Sequence, residues 1–196
     1  IDETRFTPWT QALRRRIGPD SVVLDLGCGA GILSLLACRF GARRVFAVEP
    51  DACIEVARLC AAHVPGADRI EWIRNLSTDI TLPEPADIVI GDLHGTLPFY
   101  TENIASLVDA RKRHLKPGGH LLPQRDLLHA VPVSAPLEIR NVDAPWRHNP
   151  FSLDLTAALP YVVNSWWRAQ PDAVVADQLL ATPGHWGTVD YTGEAI

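Results

Sequence analysis

The chain has 196 residues, 47% of them hydrophobic, and a formal net charge of −5 at pH 7. That length can bury one substantial core and part of a second. The acidic balance excludes a nucleic-acid-coating surface, because no basic excess is present to neutralise phosphates. The local basic run Arg111-Lys112-Arg113 reads as a solvated helix end. No apolar run approaches the roughly eighteen residues of a membrane helix and no signal peptide opens the chain, so a cytoplasmic protein with no membrane and no nucleic-acid partner is expected. Cys28, Cys38, Cys53 and Cys60 show no C-x-x-C spacing and read as free thiols. The chain contains no Met, and Gly193 to Ile196 follow directly on a strand-like run. Both ends suggest a piece of a longer protein.

Taken in order, residues 1–20 form a short polar, arginine-rich amphipathic approach ending in Gly18-Pro19-Asp20. A first strand covers about 21–26. A helix follows over about 31–40 and is stopped by Gly41. A second strand is expected over 44–49, and a helix from Pro50-Asp51 to near His63. Strands over 70–73 and 86–92 flank a loop marked by Pro83 and Pro85; the second is apolar enough to be buried on both faces. A helix over 102–115 precedes the turn Pro117-Gly118-Gly119 and a strand at 120–122. This alternation implies an α/β fold with a mainly parallel sheet and right-handed crossovers. Beyond Pro123 the segments 127–133, 137–142 and 178–191 read as strands broken by prolines, a β-rich appendage. The expected division is 1–122 and 123–196.

The most informative stretch is Asp25-Leu26-Gly27-Cys28-Gly29-Ala30-Gly31, between the first strand and the first long helix. Glycines there let the backbone approach a ligand at a helix N-terminus. A dinucleotide fingerprint would need G-x-G-x-x-G, but position 32 is Ile and the third glycine is Gly31. With Glu49 closing the second strand, the spacing is that of enzymes that bind S-adenosylmethionine. An ionised carboxylate at Glu49 is placed to accept both ribose hydroxyls; the alternative is a side chain capping the helix before Asp51. Cys28, Ile32, Leu33, Pro50 and Asp92 also belong to the expected lining of the cofactor site.

Several stretches together resemble the protein arginine methyltransferase family and its small bacterial relatives. They are Asp2-Glu3-Thr4-Arg5, residues 23–49, Gly91-Asp92-Leu93-His94-Gly95 with Phe99-Tyr100, and Leu115 to Gly119 with Leu122-Pro123-Gln124-Arg125. The resemblance is strongest from Asp2 to about Val133. It implies a Rossmann-like class I methyltransferase domain followed by a partial β-barrel for substrate binding and dimerisation, with S-adenosyl-L-methionine as cofactor. On that resemblance Arg5 would pair with the methionyl carboxylate, Asp25 and the glycines would hold the amino-acid end, and Glu49 the ribose. Ser77 and Thr78 would edge the adenine, although the family usually has an acid at Thr78. For Arg5 a plain surface role is the alternative.

The family places two glutamates after the fourth strand, where paired carboxylates hold a planar guanidinium. Here the first position is Asp92, one methylene shorter, and the second falls on Thr101, with Glu102 one residue later. One residue at a helix start turns a side chain by about 100°. Glu102 therefore either reaches inward from an adjusted loop or belongs to a helix start capped by its neighbours. His94 is a candidate general base or an ordinary loop histidine. Asp92, Glu102 and His94 are thus the candidate catalytic set, and acids there favour a cationic nitrogen as methyl acceptor. The expected activity is N-methylation of an arginine or other amine of a protein or peptide. The alternatives are a small-molecule N- or O-methyltransferase and a non-catalytic cofactor-binding protein. His185-Trp186 reads as structural, and Trp166 and Trp167 as core or interface residues. The family pairs through a helical arm, so a homodimer is an option that residues 145–175 do not decide.

Overall fold

The computed structural model describes residues 3–93, 95, 97–99, 102–134, 136–166 and 174–193. Helix α1 (Glu3–Arg16) opens the chain. Its residues Phe6, Trp9, Ala12 and Leu13, followed by Ile17, recur at helical spacing and pack on the main apolar cluster. Strand β1 (Val22–Leu26), helix α2 (Ile32–Arg39), strand β2 (Arg44–Val48), helix α3 (Ile54–Ala61) and strand β3 (Ile70–Ile73) follow. Then come strand β4 (Ala86–Gly91), helix α4 (Asn103–Arg113) and strand β5 (Leu115–Leu122).

These strands form one five-stranded parallel sheet in the order β3-β2-β1-β4-β5. All five residues of β1 are buried, as a central strand covered on both faces requires. Burying Leu24, Phe46 or Ile90, each with no exposed surface, contributes about 1.5–3 kcal/mol per side chain. The turn expected at Pro117-Gly118-Gly119 lies inside β5, whose register against β4 shifts between Ala86 and Ile88. Gly118 has φ 78°, so the irregularity is accommodated by a residue without Cβ.

The remainder carries strand β6 (Arg125–Ala130), helices α5 (Pro136–Arg147) and α6 (Leu159–Val163), and strand β7 (Gly184–Asp190). β6 and β7 pair as a two-stranded antiparallel sheet, extended by an isolated bridge between Val133 and Leu179. The strand expected at 137–142 is therefore helix α5, and the strand expected over 178–191 shortens to β7 after a 3₁₀ turn at Ala176–Gln178. Pro136 stands at the start of α5, where a missing N–H costs nothing and φ is already helical. The chain divides into two compact units, residues 1–126 with 188–196 and residues 127–187. Among the described residues, no helix is long and apolar enough to cross a membrane.

Candidate functional site

The strand order reverses between β1 and β4, so the crevice of this open sheet lies outside their carboxyl ends. Pairing sets Leu26 against Val48 on one side and against Gly91 on the other. The next residue of each strand, Gly27, Glu49 and Asp92, therefore leaves the sheet at one level. Three residues separated widely in sequence are thus brought to one edge by register.

The glycine turn is held tightly: Cys28 N–H donates to Val48 O at 3.0 Å and Gly31 N–H to Cys28 O at 2.8 Å. Gly27, Gly29 and Gly31 have φ of 62°, 53° and 80°, the left-handed region that glycine enters without a Cβ penalty. The reasons differ. A Cβ at Gly31 would lie 2.7 Å from the Trp72 ring and 2.9 Å from Ala57 Cβ, so Gly31 is needed for close helix–strand packing. A Cβ at Gly29 would meet no atom within 4 Å, so at Gly29 the backbone is bare towards open space.

Asp25 is buried beneath this turn and accepts a 2.6 Å hydrogen bond from Ser34 Oγ. Burial raises its pKa to about 7; the Asp92 and Glu49 carboxylates push the same way, against the Ser34 hydrogen bonds. Burial, with Asp25 and Glu49 nearby, also pushes the Cys28 thiol far up, so it stays protonated and unreactive. Glu49 accepts from Gly29 N–H at 3.1 Å through Oε2 and from Asp51 N–H at 2.9 Å through Oε1. The ribose role and the capping role read for Glu49 are compatible, since each carboxylate oxygen has a second lone pair. Its two backbone donors fix the direction in which it faces.

Arg5 of α1 forms an ion pair and hydrogen bond with Asp92. Both line a cavity of about 190 Å³ together with Phe6, Asp25, Gly27, Cys28, Gly29, Ala30, Ile32 and Leu33. Most of the predicted cofactor set thus surrounds one space. Glu49 and Pro50 do not line it; the Pro50 carbonyl accepts from Arg74 Nε at 3.5 Å. Ser77 and Thr78 sit in a 3₁₀ turn (Ser77–Asp79) tied to α4: Arg113 donates to Ser77 O and Thr78 O, both at 3.0 Å, and to Ile80 O at 2.7 Å. Glu102 is exposed at the N-cap of α4, makes no side-chain cap bond and does not line the Arg5–Asp92 cavity. His94, Tyr100, Thr101, Trp167 and Asp2 lie outside the described residues. Sequence reading missed Phe6 in the cavity wall and Ser34 under Asp25. A signal for Ser34 exists, a lone hydroxyl within the apolar run Ile32-Leu33-Ser34-Leu35-Leu36.

The sheet order, the left-handed glycine turn and the carboxylate closing β2 define the class I S-adenosylmethionine-dependent methyltransferase architecture. The sequence model of the family described as ribosomal protein L11 methyltransferase (PrmA) matches residues 9–123, and the chain belongs to that methyltransferase family. Within the class its similarity runs to the protein arginine methyltransferases. The chain is 37% identical over 177 residues to "Probable histone-arginine methyltransferase CARM1" of Oryza sativa subsp. indica, covering 87% of this chain and 33% of the relative. It is 40% identical over 178 residues to "Probable histone-arginine methyltransferase 1.3" of Arabidopsis thaliana, with the same coverage. The chain therefore spans about a third of the length of these curated relatives. Among solved structures, the fold is similar to that of the Trypanosoma brucei PRMT1 enzyme-prozyme heterotetrameric complex with AdoHcy. That match has a TM-score of 0.83 and 24% identity, over 98% of this chain and 60% of that one. Protein arginine methyltransferase 10 of Arabidopsis thaliana matches with a TM-score of 0.75 and 23% identity, again over 98% and 60%.

The family's cofactor is S-adenosyl-L-methionine, and the residues present fit it. Gly29 offers backbone without a side chain towards open space, and Glu49 is held by two backbone amides. Arg5 supplies a cation at the cavity wall.

Proposed function

We propose that the chain carries the cofactor-binding and catalytic part of an S-adenosylmethionine-dependent methyltransferase that N-methylates an arginine or another amine of a protein or peptide. The observation that carries this reading is the meeting of Asp92 with the glycine-lined cavity at the sheet's switch point. When bound, the cofactor supplies an electrophilic methyl group on a sulfonium. In this reading Arg5 takes its carboxylate, Asp25 and residues Gly27 to Leu33 hold its amino-acid end, Glu49 and Pro50 its ribose, and Ser77 and Thr78 edge its base. Methyl transfer is an in-line displacement, so the protein's contribution is mainly position. Asp92 holds the acceptor nitrogen through its carboxylate and orients it towards the methyl group. The proton lost from that nitrogen passes to Asp92, with His94 or Glu102 as the alternative acceptor.

Residues 1–122 form the cofactor domain in this proposal, and 123–196 contribute to substrate binding and dimerisation. The protein acts in the cytoplasm, on a protein substrate of the kind named for the rice and Arabidopsis relatives, with a homodimer as its assembly. A small-molecule methyltransferase is the second reading, favoured by one observation: Glu102 is exposed and stands apart from the cavity that Asp92 lines. Transfer of a labelled methyl group to an arginine-rich peptide, run beside free amines and phenols, separates the two. Label on the peptide guanidinium is the expected result; label only on a phenol or a free amine overturns the protein-substrate reading.

A further inference from the structure

Helix α4 begins just past the loop that carries Asp92, and its first residue, Asn103, is 1% exposed. Asn103 Nδ2 donates both protons, one to Pro98 O at 3.0 Å and one to Tyr191 Oη at 3.1 Å. Tyr191 has no exposed surface and donates its own hydroxyl proton to Asp126 Oδ2 at 2.6 Å. The chain of donors has one consistent direction, from Asn103 through Tyr191 to the carboxylate, and an ionised acceptor at its end strengthens each link. Burial and the Asp126 carboxylate hold the Tyr191 pKa well above the usual tyrosine range, so the hydroxyl keeps its proton.

The backbone of Tyr191 is anchored independently. Its N–H donates to Gln124 O at 2.9 Å, and Arg111 Nη1 of α4 donates to Tyr191 O and to Gly193 O. Residues 191–193 are thus fastened to α4 at both ends: the hydroxyl holds Asn103, and the carbonyls hold Arg111. The other binding duty of α4 is Arg113, which grips the 77–80 segment on the proposed adenine side. The Tyr191 end and the Arg113 end of the helix therefore serve different sides of the site.

We propose that Tyr191 is a positioning residue for methyl transfer, setting the start of α4 and Pro98 through Asn103 so that the acceptor side of the site is held in place. This rests on the methyltransferase reading above. The hydroxyl acts at a distance: it touches Asn103 and Asp126, and its loss removes an acceptor from Asn103 and a donor from Asp126 together.

Tyr191→Phe removes the hydroxyl while keeping the ring and every backbone bond, and it is the test variant. Its kcat/KM for the acceptor peptide is expected to fall about tenfold or more, with adenosylhomocysteine affinity by calorimetry within about twofold of the parent. Asp126→Asn, with Tyr191 intact, retains an oxygen acceptor for the Tyr191 proton and is expected to keep most of the parent's acceptor kinetics. Hydrogen exchange supplies a readout that needs no activity. The Ser106 amide, bonded to Glu102 O at 2.8 Å, exchanges at least about tenfold faster in Tyr191→Phe, while amides of β1 and β2 are unchanged. Parent-like acceptor kinetics, or an unchanged Ser106 amide, overturns the proposal. A parent protein that methylates no acceptor sinks the methyltransferase reading instead, and the exchange comparison still decides whether Tyr191 sets α4.

Discussion

Asp25 holds a buried carboxyl under the glycine turn, and its protonation is coupled to folding. Its pKa is raised from 3.8 to about 7 in the folded protein, so folding takes up a proton between those values. The contribution to stability is fully present below pH 3.8 and is lost as pH rises through 7. It is on the order of a few kcal/mol, since each unit is worth about 1.4 kcal/mol. Asp25→Asn keeps the size of the side chain and an oxygen for Ser34, but does not titrate. Thermal midpoints of the ligand-free proteins, measured from pH 5 to 8, should therefore fall more steeply in the parent than in the variant; parallel curves would remove the assignment. Glu49 differs, because its charge faces outward on two backbone donors. Glu49→Gln is expected to weaken adenosylhomocysteine by about 10- to 100-fold in calorimetry, the loss of one or two charge-assisted bonds at about 1.5–3 kcal/mol in total. The positions of Glu49 and of Asp25 were legible in the chain, since each stands at a fixed spacing from the glycines, Asp25 just before them and Glu49 at the end of the next strand. The pairing of Arg5 with Asp92 was not, because nothing local relates positions 87 residues apart. Ser34 was missed for the opposite reason: a hydroxyl in a helix normally bonds locally or faces water, and only the burial of Asp25 gives it another partner.

At the scale of the element, the strand–turn–helix from β1 to α2 was readable because its residues have no other use. A glycine at 31 is demanded by both backbone and packing, and Gly31→Ala is expected to cost about 2–4 kcal/mol. The sources are the strained left-handed φ and the contact with Trp72 and Ala57. Denaturant unfolding of the variant checks it, and a loss under about 1 kcal/mol would mean that the turn yields. Helix α5 was unreadable by the same logic. Its residues Leu137, Ile139 and Val142 suggested a strand among prolines, yet Ile139, Val142 and Trp146 equally fit helical spacing. Pro136 punctuates a helix start as readily as it breaks a strand. Helix α4 was placed correctly, but its role as a strut was hidden, since Arg111 and Arg113 read as a solvated basic end. Both bind backbone carbonyls of other segments instead. Arg113→Ala is accordingly expected to weaken adenosylhomocysteine by about threefold to tenfold, through loosening of residues 77–80 rather than any contact of its own. An affinity equal to that of the parent would leave Arg113 as a surface stabiliser only.

At the scale of the whole molecule, apolar content is distributed very differently from apolar burial. The composition suggested one core and part of a second. The core is found in the unit formed by residues 1–126 and 188–196, whereas none of the residues of the 127–187 unit whose burial is described is buried. That second unit instead exposes large side chains, Tyr161 at 82% and Phe151 at 76% among them. Burial of apolar surface is the main term that offsets conformational entropy. Elements without it therefore open locally at a small fraction of the global free energy, while β1, β2 and β4 open only when the whole unit unfolds. Amides of α5 and α6 should thus exchange at least about 100-fold faster than those of β1 and β2, a gap of about 3 kcal/mol in opening free energy at 1.4 kcal/mol per decade. Adenosylhomocysteine should slow exchange further at the tips of β1 and β2, because a ligand that binds only the folded form raises its stability by mass action. It should leave α5 and α6 near their ligand-free rates. Equal protection in α5 and β1 without ligand would show that the 127–187 unit has a stabilising cover of its own, and would transfer its exposed aromatic residues from the solvent to an interface.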